Sequence, residues 1–174
     1  MVLPVAAKRP LAVAAPAASA SRWGGIKSQQ PEEAVLGPGS YRVQFTGAEV
    51  TFNKGSGHET FKSHVTVVDI AEGSATPVGA SASILNIING KSTEIGKGRV
   101  KAMFVALAGF QTDEEFDAVD PAGSVIDATL NGAGMVGRLV DVTAVDNGVK
   151  TAKGKPIYEY TYTPTEGQEV YSFE

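Results

Sequence analysis

Hydrophobic and polar positions alternate through the middle of the chain. Tyr41, Val43 and Phe45 fall on one face of an extended segment, and polar side chains occupy the positions between them. This period of two is typical of a strand with one buried face. The alternation resumes after a short glycine-rich loop, where Phe61 and Val65 share a face, so a second strand follows the first.

Shorter patterns of the same kind predict three further strands, at residues 80–88, 135–145 and 157–162. The pair Asn89-Gly90 is a strong turn signal at the end of the third strand. Residues 124–130 have a strand-like pattern as well, which predicts a minor strand. The sheet is therefore expected to have five main strands.

A helix is predicted between the third and fourth strands, over residues 98–109. Its apolar residues fall at helical spacing on one face, and they are Val100, Met103, Phe104 and Leu107. Gly109 is placed to end the helix in a left-handed conformation. Thr112 and Glu115 have capping-box spacing, which predicts a short second helix before Pro121.

The chain order is therefore three strands, a helix and two strands. This is the order of the oligonucleotide-binding (OB) fold, a five-stranded Greek-key barrel with one helix between strands three and four. Other small barrels and sandwiches share the order, so it supports a mostly β, OB-type barrel without excluding them. We expect the domain to span 37–164, between a disordered Ala/Pro-rich arm at 1–36 and a short acidic tail at 165–174.

The composition excludes several kinds of chemistry. The chain of 174 residues has no cysteine, which rules out disulfides and thiol nucleophiles. Its net charge is −4, so a strongly basic binder of duplex DNA is not expected. No apolar run approaches the roughly 18 residues that suggest a membrane-spanning helix.

No arrangement typical of catalysis or metal binding is found in the sequence. His58 and His64 would lie about 20 Å apart along a strand, at about 3.3 Å per residue, which is too far for them to share a metal. The glycines of 132–137 match a dinucleotide-binding pattern, but a strand follows them instead of the required helix. We therefore expect no enzyme activity, no cofactor and no bound metal.

Basic residues are concentrated in the two loops that flank the ligand-binding face of an OB barrel. One lysine lies in the loop after the first strand, and three lie between the fourth and fifth strands. Such cations can follow the phosphates of a single strand, although loop lysines can also serve only to keep a domain soluble. The predicted nucleic-acid-binding residues are Arg42, Gln44, Phe52, Lys54, Lys62, His64, Lys150, Lys153, Lys155 and Tyr158.

Aromatic side chains offer fewer candidates. Phe52 lies near the first loop, and Tyr158 shares a face with two other tyrosines, a stripe that fits a barrel wall as well as a stacking surface. Trp23, in the arm, is expected to dock on the domain, contact a partner subunit or stack on a base. Tyr171 and Phe173, near the acidic end, are predicted to bind partner proteins.

Short stretches across residues 21–164 resemble phage-encoded proteins regarded as OB-type single-stranded DNA-binding proteins. The resembling stretches are SRWG at 21–24, GSY at 39–41, FKSHV at 61–65, GRVKAMF at 98–104, AGF at 108–110, FDAVDP at 116–121 and GRLVDV at 137–142. The resemblance implies coating of DNA strands during phage replication or recombination, in the cytoplasm of the infected bacterial host. It identifies no contact residues.

Two functional hypotheses follow. The first is largely sequence-independent binding of single-stranded DNA, with replication or recombination proteins as partners of the C-terminal tail and no contact with a membrane. The second is a virion structural or decoration protein whose N-terminal arm contacts neighbouring subunits. A homo-oligomer is compatible with either hypothesis.

Overall fold

The computed structural model describes residues 34–173. In this range the strands are β1 (Ala34–Val35), β2 (Gly39–Phe52), β3 (Glu59–Ile70), β4 (Ser81–Ile87), β5 (Leu139–Lys150) and β6 (Pro156–Pro164). The helices are α1 (Thr93–Ala108), α2 (Asp113–Val119) and α3 (Ser124–Leu130), and a 3-10 turn at Gly90–Ser92 precedes α1. Three helices thus lie between the fourth and fifth strands.

The strands form one sheet in the order β1-β4-β3-β2-β5-β6. All neighbours are antiparallel except the edge pair β1 and β4. Strand β5 returns through the helical segment to lie beside β2, so the strands β5-β2-β3-β4 have the spatial order of a Greek key.

The sheet is curled, so that its two edges approach each other. The Tyr160 hydroxyl in β6 donates a hydrogen bond of 2.7 Å to the carbonyl of Leu36, which directly follows β1 on the opposite edge. Leu36 in turn donates its N–H to Ser83 of β4. The architecture is therefore mostly β and half-barrel in shape.

The hydrophobic core fills the concave side of this sheet. The ring of Phe104 in α1 lies edge-on to Phe45 of β2 and Phe61 of β3, with centroid distances of 5.8 and 6.1 Å. Val100, Met103 and Leu107 of the same helix are also buried. The inward faces predicted for the first two strands and for the helix are confirmed.

Helix α1 begins five residues before the predicted start at 98, because Gly96 does not break the helix. A Cβ at Gly96 would lie 1.6 Å from the carbonyl oxygen of Ile87, so the glycine allows the first turn of α1 to rest on the end of β4. At the other end Gly109 has φ +92° and closes the helix as predicted.

The prediction of five strands and one helix is corrected in two places. Residues Ala34–Val35, which fall in the predicted arm, pair with Ala82 and Ser83 as a sixth strand too short to have a readable pattern. The segment 124–130 forms the helix α3 instead of a minor strand.

Residues 124–130 form a helix because a carboxylate that precedes them binds the N–H groups of the first turn. Asp120 accepts hydrogen bonds from the N–H groups of Ser124 and Val125 and from the Ser124 hydroxyl. These bonds satisfy N–H groups that have no partner in the first turn of a helix. Burial by itself raises the pKa of Asp120, but these hydrogen bonds outweigh it, so the pKa lies below its usual value.

Two other boundaries are also resolved. Helix α2 begins with the predicted capping box, in which Thr112 accepts from the Glu115 N–H and the Glu115 carboxylate accepts from the Thr112 N–H. Strand β5 starts four residues later than predicted, because Gly137 forms a turn there and donates its N–H to the Phe45 carbonyl at 2.7 Å.

Replacing Phe104 with alanine is expected to lower the free energy of unfolding by about 3–5 kcal/mol, since this buried ring touches two others. The matched control is Phe52→Ala, because Phe52 is 63% exposed and its loss leaves no buried cavity. Urea denaturation measures both variants. A Phe104→Ala protein as stable as the Phe52→Ala protein would show that α1 does not organise the core.

Candidate functional site

The loop between β2 and β3, residues 53–58, is a compact turn that contains Lys54. The Asn53 side chain accepts hydrogen bonds from the N–H groups of Gly55 and Ser56, and the Gly57 N–H donates to the Asn53 carbonyl. Lys54 is exposed on this turn. The loop is therefore shaped by its own hydrogen bonds, and its lysine faces solvent.

The connection from β4 to α1 lies directly against this loop. Asn89 accepts a hydrogen bond from the Glu59 N–H and donates one to the Gly57 carbonyl, each of 2.9 Å. Lys91, in the 3-10 turn, and Lys97, in the second turn of α1, are both exposed. Two loops distant in the sequence thus form one continuous edge of the domain.

The hairpin of β5 and β6 extends beyond the rest of the sheet. Strand β5 pairs with β2 only as far as Ala144, and the residues after it pair with β6 alone among the described strands. Residues 147–158 contain three exposed lysines, Lys150, Lys153 and Lys155, and no carboxylate. This hairpin is therefore a positively charged projection.

The curl of the sheet relates the hairpin to the start of α1. Glu159, near the projecting part of β6, lies 3.9 Å from Arg99 in α1. Further along β6, the Tyr162 hydroxyl is buried beside the Asn86 side chain of β4, and burial raises the pKa of this tyrosine. Within residues 34–173, neither the Tyr162 hydroxyl nor the Asn86 amide nitrogen has a hydrogen-bond partner. Among the described residues, the hydrogen bond across the two edges of the sheet is therefore the one from Tyr160 to Leu36.

We call Lys54, Lys62, Lys91 and Lys97 the lysine rim, and Lys150, Lys153 and Lys155 the lysine hairpin. Within residues 34–173, none of the seven lies within 4.0 Å of a carboxylate oxygen. Lysines without a carboxylate partner keep their charge available for an anionic ligand. Lys91 and Lys97 were not among the predicted contact residues. Their segment lies beside the first loop because of the contacts of Asn89, which the sequence does not show.

Arg42 and Gln44 are on the outer face of β2, but both are engaged by other groups. The Arg42 guanidinium forms two hydrogen bonds to the Asp141 carboxylate, of 2.8 and 3.2 Å. Gln44 donates to the carbonyl of Gly137. The predicted position on this face is correct, but the charge of Arg42 is balanced by its partner.

Lys62 and His64 are on the outer face of β3, as predicted. The His64 ring lies 3.2 Å from a carboxylate oxygen of Glu49 on β2. Lys62 is half-buried between β2 and β4. In the part of the chain that the structure describes, no cluster of three or more acidic or histidine side chains could hold a metal ion.

The predicted aromatic residues fall in three different environments. Phe52 is exposed at the end of β2, and Tyr158 is half-buried opposite Asp146. Phe173 stacks on Phe110, and Tyr171 lies edge-on to Phe173, so both terminal rings pack on the domain itself. Trp23 lies outside the described residues.

The contacts of Tyr171 and Phe173 correct the view of residues 165–173 as a separate tail. The Tyr171 N–H donates to the Ala108 carbonyl at the end of α1, and Phe173 also meets Phe116 edge-on. Arg138 donates to the carbonyls of Leu107 and Glu169. That these aromatic residues bind partner proteins stays a prediction.

The chain matches no protein-family model and no curated protein. None of the helices in residues 34–173 is long and apolar enough to cross a membrane.

Replacing Arg42 with glutamine is expected to raise the pKa of Asp141. Hydrogen bonding to Arg42 is the main reason that this pKa lies below its usual value, and the Thr165 hydroxyl also contributes. Since the folded pKa is depressed, the stabilisation is present above the usual carboxyl pKa of about 3.9 and is lost as the pH falls through the folded pKa.

A carboxyl-carbon NMR titration measures this shift. The internal control is Asp120, whose pKa depends on Ser124 and Val125 and is expected to stay the same in the Arg42→Gln protein. An unchanged Asp141 titration would show that the ion pair does not form in solution.

Proposed function

We propose that this protein binds single-stranded DNA through the lysine rim and the lysine hairpin, largely without regard to sequence. The observation that carries this proposal is that all seven lysines lack a carboxylate partner within the described residues, although the chain is acidic overall. Unpaired cations of this kind can follow the phosphates of a flexible strand.

The order of the long strands supports an OB-type barrel as the framework. Strands β2 to β6 would be its five strands, α1 to α3 fill the connection between the third and fourth, and β1 is an addition at the edge. In that fold the face of the second and third strands binds oligonucleotides, with the loops after the first and fourth strands beside it. Those elements correspond here to β3, β4, the loop 53–58 and the lysine hairpin.

The outer face of β3 and β4 indicates how a DNA strand would be bound. Its positions include Lys62, His64, Thr66 and Leu85, and no phenylalanine, tyrosine or tryptophan. Stacking is therefore left to residues at the margin, of which Phe52 is the exposed one. Phosphate contacts would supply most of the affinity.

The biological setting follows from the resemblance to phage-encoded single-stranded DNA-binding proteins. We propose that the protein coats DNA strands during phage replication or recombination in the cytoplasm of the infected bacterial host. This setting adds no contact residues to those argued from the charges.

Replacing Lys150, Lys153 and Lys155 together with glutamine is expected to weaken binding of oligo-dT and of mixed-sequence strands alike. Each phosphate contact contributes about 0.7 to the slope of log affinity against log salt for a single strand, so losing three lowers the slope by about 2. Fluorescence anisotropy at several salt concentrations measures the slope.

The matched control replaces Arg42 and Lys101 with glutamine, because both are paired with carboxylates, Asp141 and Asp117. This control removes positive charge but is expected to keep the wild-type slope. If wild-type protein fails to bind oligo-dT at low salt, the proposed function is wrong. The control removes two charges and the hairpin variant three, so a loss of slope in the control about two thirds as large would mean that only total charge matters.

A further inference from the structure

The Asn89 side chain does not form a capping hydrogen bond in the turn that it begins. It stands at the N-terminal cap of the 3-10 turn at Gly90–Ser92, where an asparagine side chain commonly accepts a hydrogen bond from its own turn. No such bond forms here. Its carbonyl oxygen accepts instead from the Glu59 N–H, and its amide nitrogen donates to the Gly57 carbonyl.

The hydrogen bond from the Asn89 side chain to the Gly57 carbonyl links the loop 53–58 to a segment outside the loop. Among the described residues, the other hydrogen bonds of this loop run between its own members, such as Asn53 with Gly55 and Ser56 with His58. The backbone ladder between β3 and β4 ends with the Ile88 N–H on the Glu59 carbonyl. Asn89 therefore extends the connection past the end of the sheet.

The loop needs such support because its backbone is permissive. It contains two glycines, and Gly57 has φ +73°, in the left-handed region. Glycine-containing segments lose much conformational freedom when they are ordered, so a loop held only by internal bonds could reorient as a unit. Reorientation would move Lys54 away from Lys91, which lies two residues beyond Asn89.

We propose that Asn89 is a positioning residue that holds Lys54 and Lys91 in one surface, so that both contact the same DNA strand. This inference rests on the proposed function. Asn89 does not itself contact a phosphate; it acts by fixing the position of the loop that carries Lys54. Lys62, in contrast, is held by the ladders on both sides of β3 and does not depend on Asn89.

A double-mutant cycle tests this dependence. Oligo-dT affinity is measured for the wild type, Lys54→Ala, Asn89→Ala and the double variant, below the melting transition of each protein. We expect Lys54→Ala to weaken binding several-fold in the wild-type background and less than twofold when Asn89 is already alanine. The salt slope is expected to fall by about 0.7 with either change and no further with both.

Lys62→Ala is the matched control, and its effect on affinity is expected to be the same with and without Asn89. If Asn89→Ala fails to fold, Asn89→Ser provides the second variant, because the serine side chain is too short to reach both Glu59 and Gly57.

Equal losses from Lys54→Ala in both backgrounds would overturn the positioning role, and so would a Lys54→Ala protein that binds like the wild type. Either result leaves the proposed function standing if the wild type binds. Absence of wild-type binding would instead overturn the proposed function itself.

Discussion

The packing of Phe104 against Phe45 and Phe61 is the interaction on which the rest of the structure depends. Helix α1 lies across the concave side of the sheet, and the ring of Phe104 packs against strands β2 and β3 at the centre of the core. The sheet curls around α1, and the Tyr160 hydroxyl on one edge donates a hydrogen bond to the Leu36 carbonyl at the other. The same helix has its first turn on the end of β4, because Gly96 leaves room for the Ile87 carbonyl.

This placement of α1 also determines where the charges lie. The turn before the helix brings Asn89 to the loop 53–58, and Arg99 lies near Glu159 beside the hairpin. Arg42 and Lys101, by contrast, are neutralised by carboxylates. Within residues 34–173, an acidic chain therefore presents two groups of lysines without a carboxylate partner, the lysine rim and the lysine hairpin.

The sequence predicted those features that depend on local pattern. Alternation identified the inward faces of β2 and β3, and capping-box spacing identified the start of α2, because both signals lie within a few residues. The sequence did not predict α3, because the N–H groups of its first turn are bound by Asp120, which lies outside the helix. The sequence also placed the start of α1 at residue 98, five residues too late, because the close approach of Gly96 to Ile87 exists only in the folded chain.

The candidate site divides in the same way. The lysines of the two loops could be read from the sequence, because charged residues among glycines are visible there. The pairing of Arg42 with Asp141 could not, since the two residues are 99 positions apart and meet only through the pairing of β2 with β5. The role of Asn89 was hidden for a similar reason: Asn89-Gly90 is a turn signal, and a turn signal does not reveal a contact with Gly57.

Amide hydrogen exchange with and without saturating oligo-dT tests the central claim most directly. The account predicts slower exchange in the loop 53–58, in residues 89–97 and in the hairpin 147–156, and unchanged exchange in the loop between β3 and β4, residues 71–80, at the opposite end of β3. Protection confined to residues 71–80, or to the packed C-terminal segment 165–173, would contradict it, because the strand would then lie away from both groups of lysines.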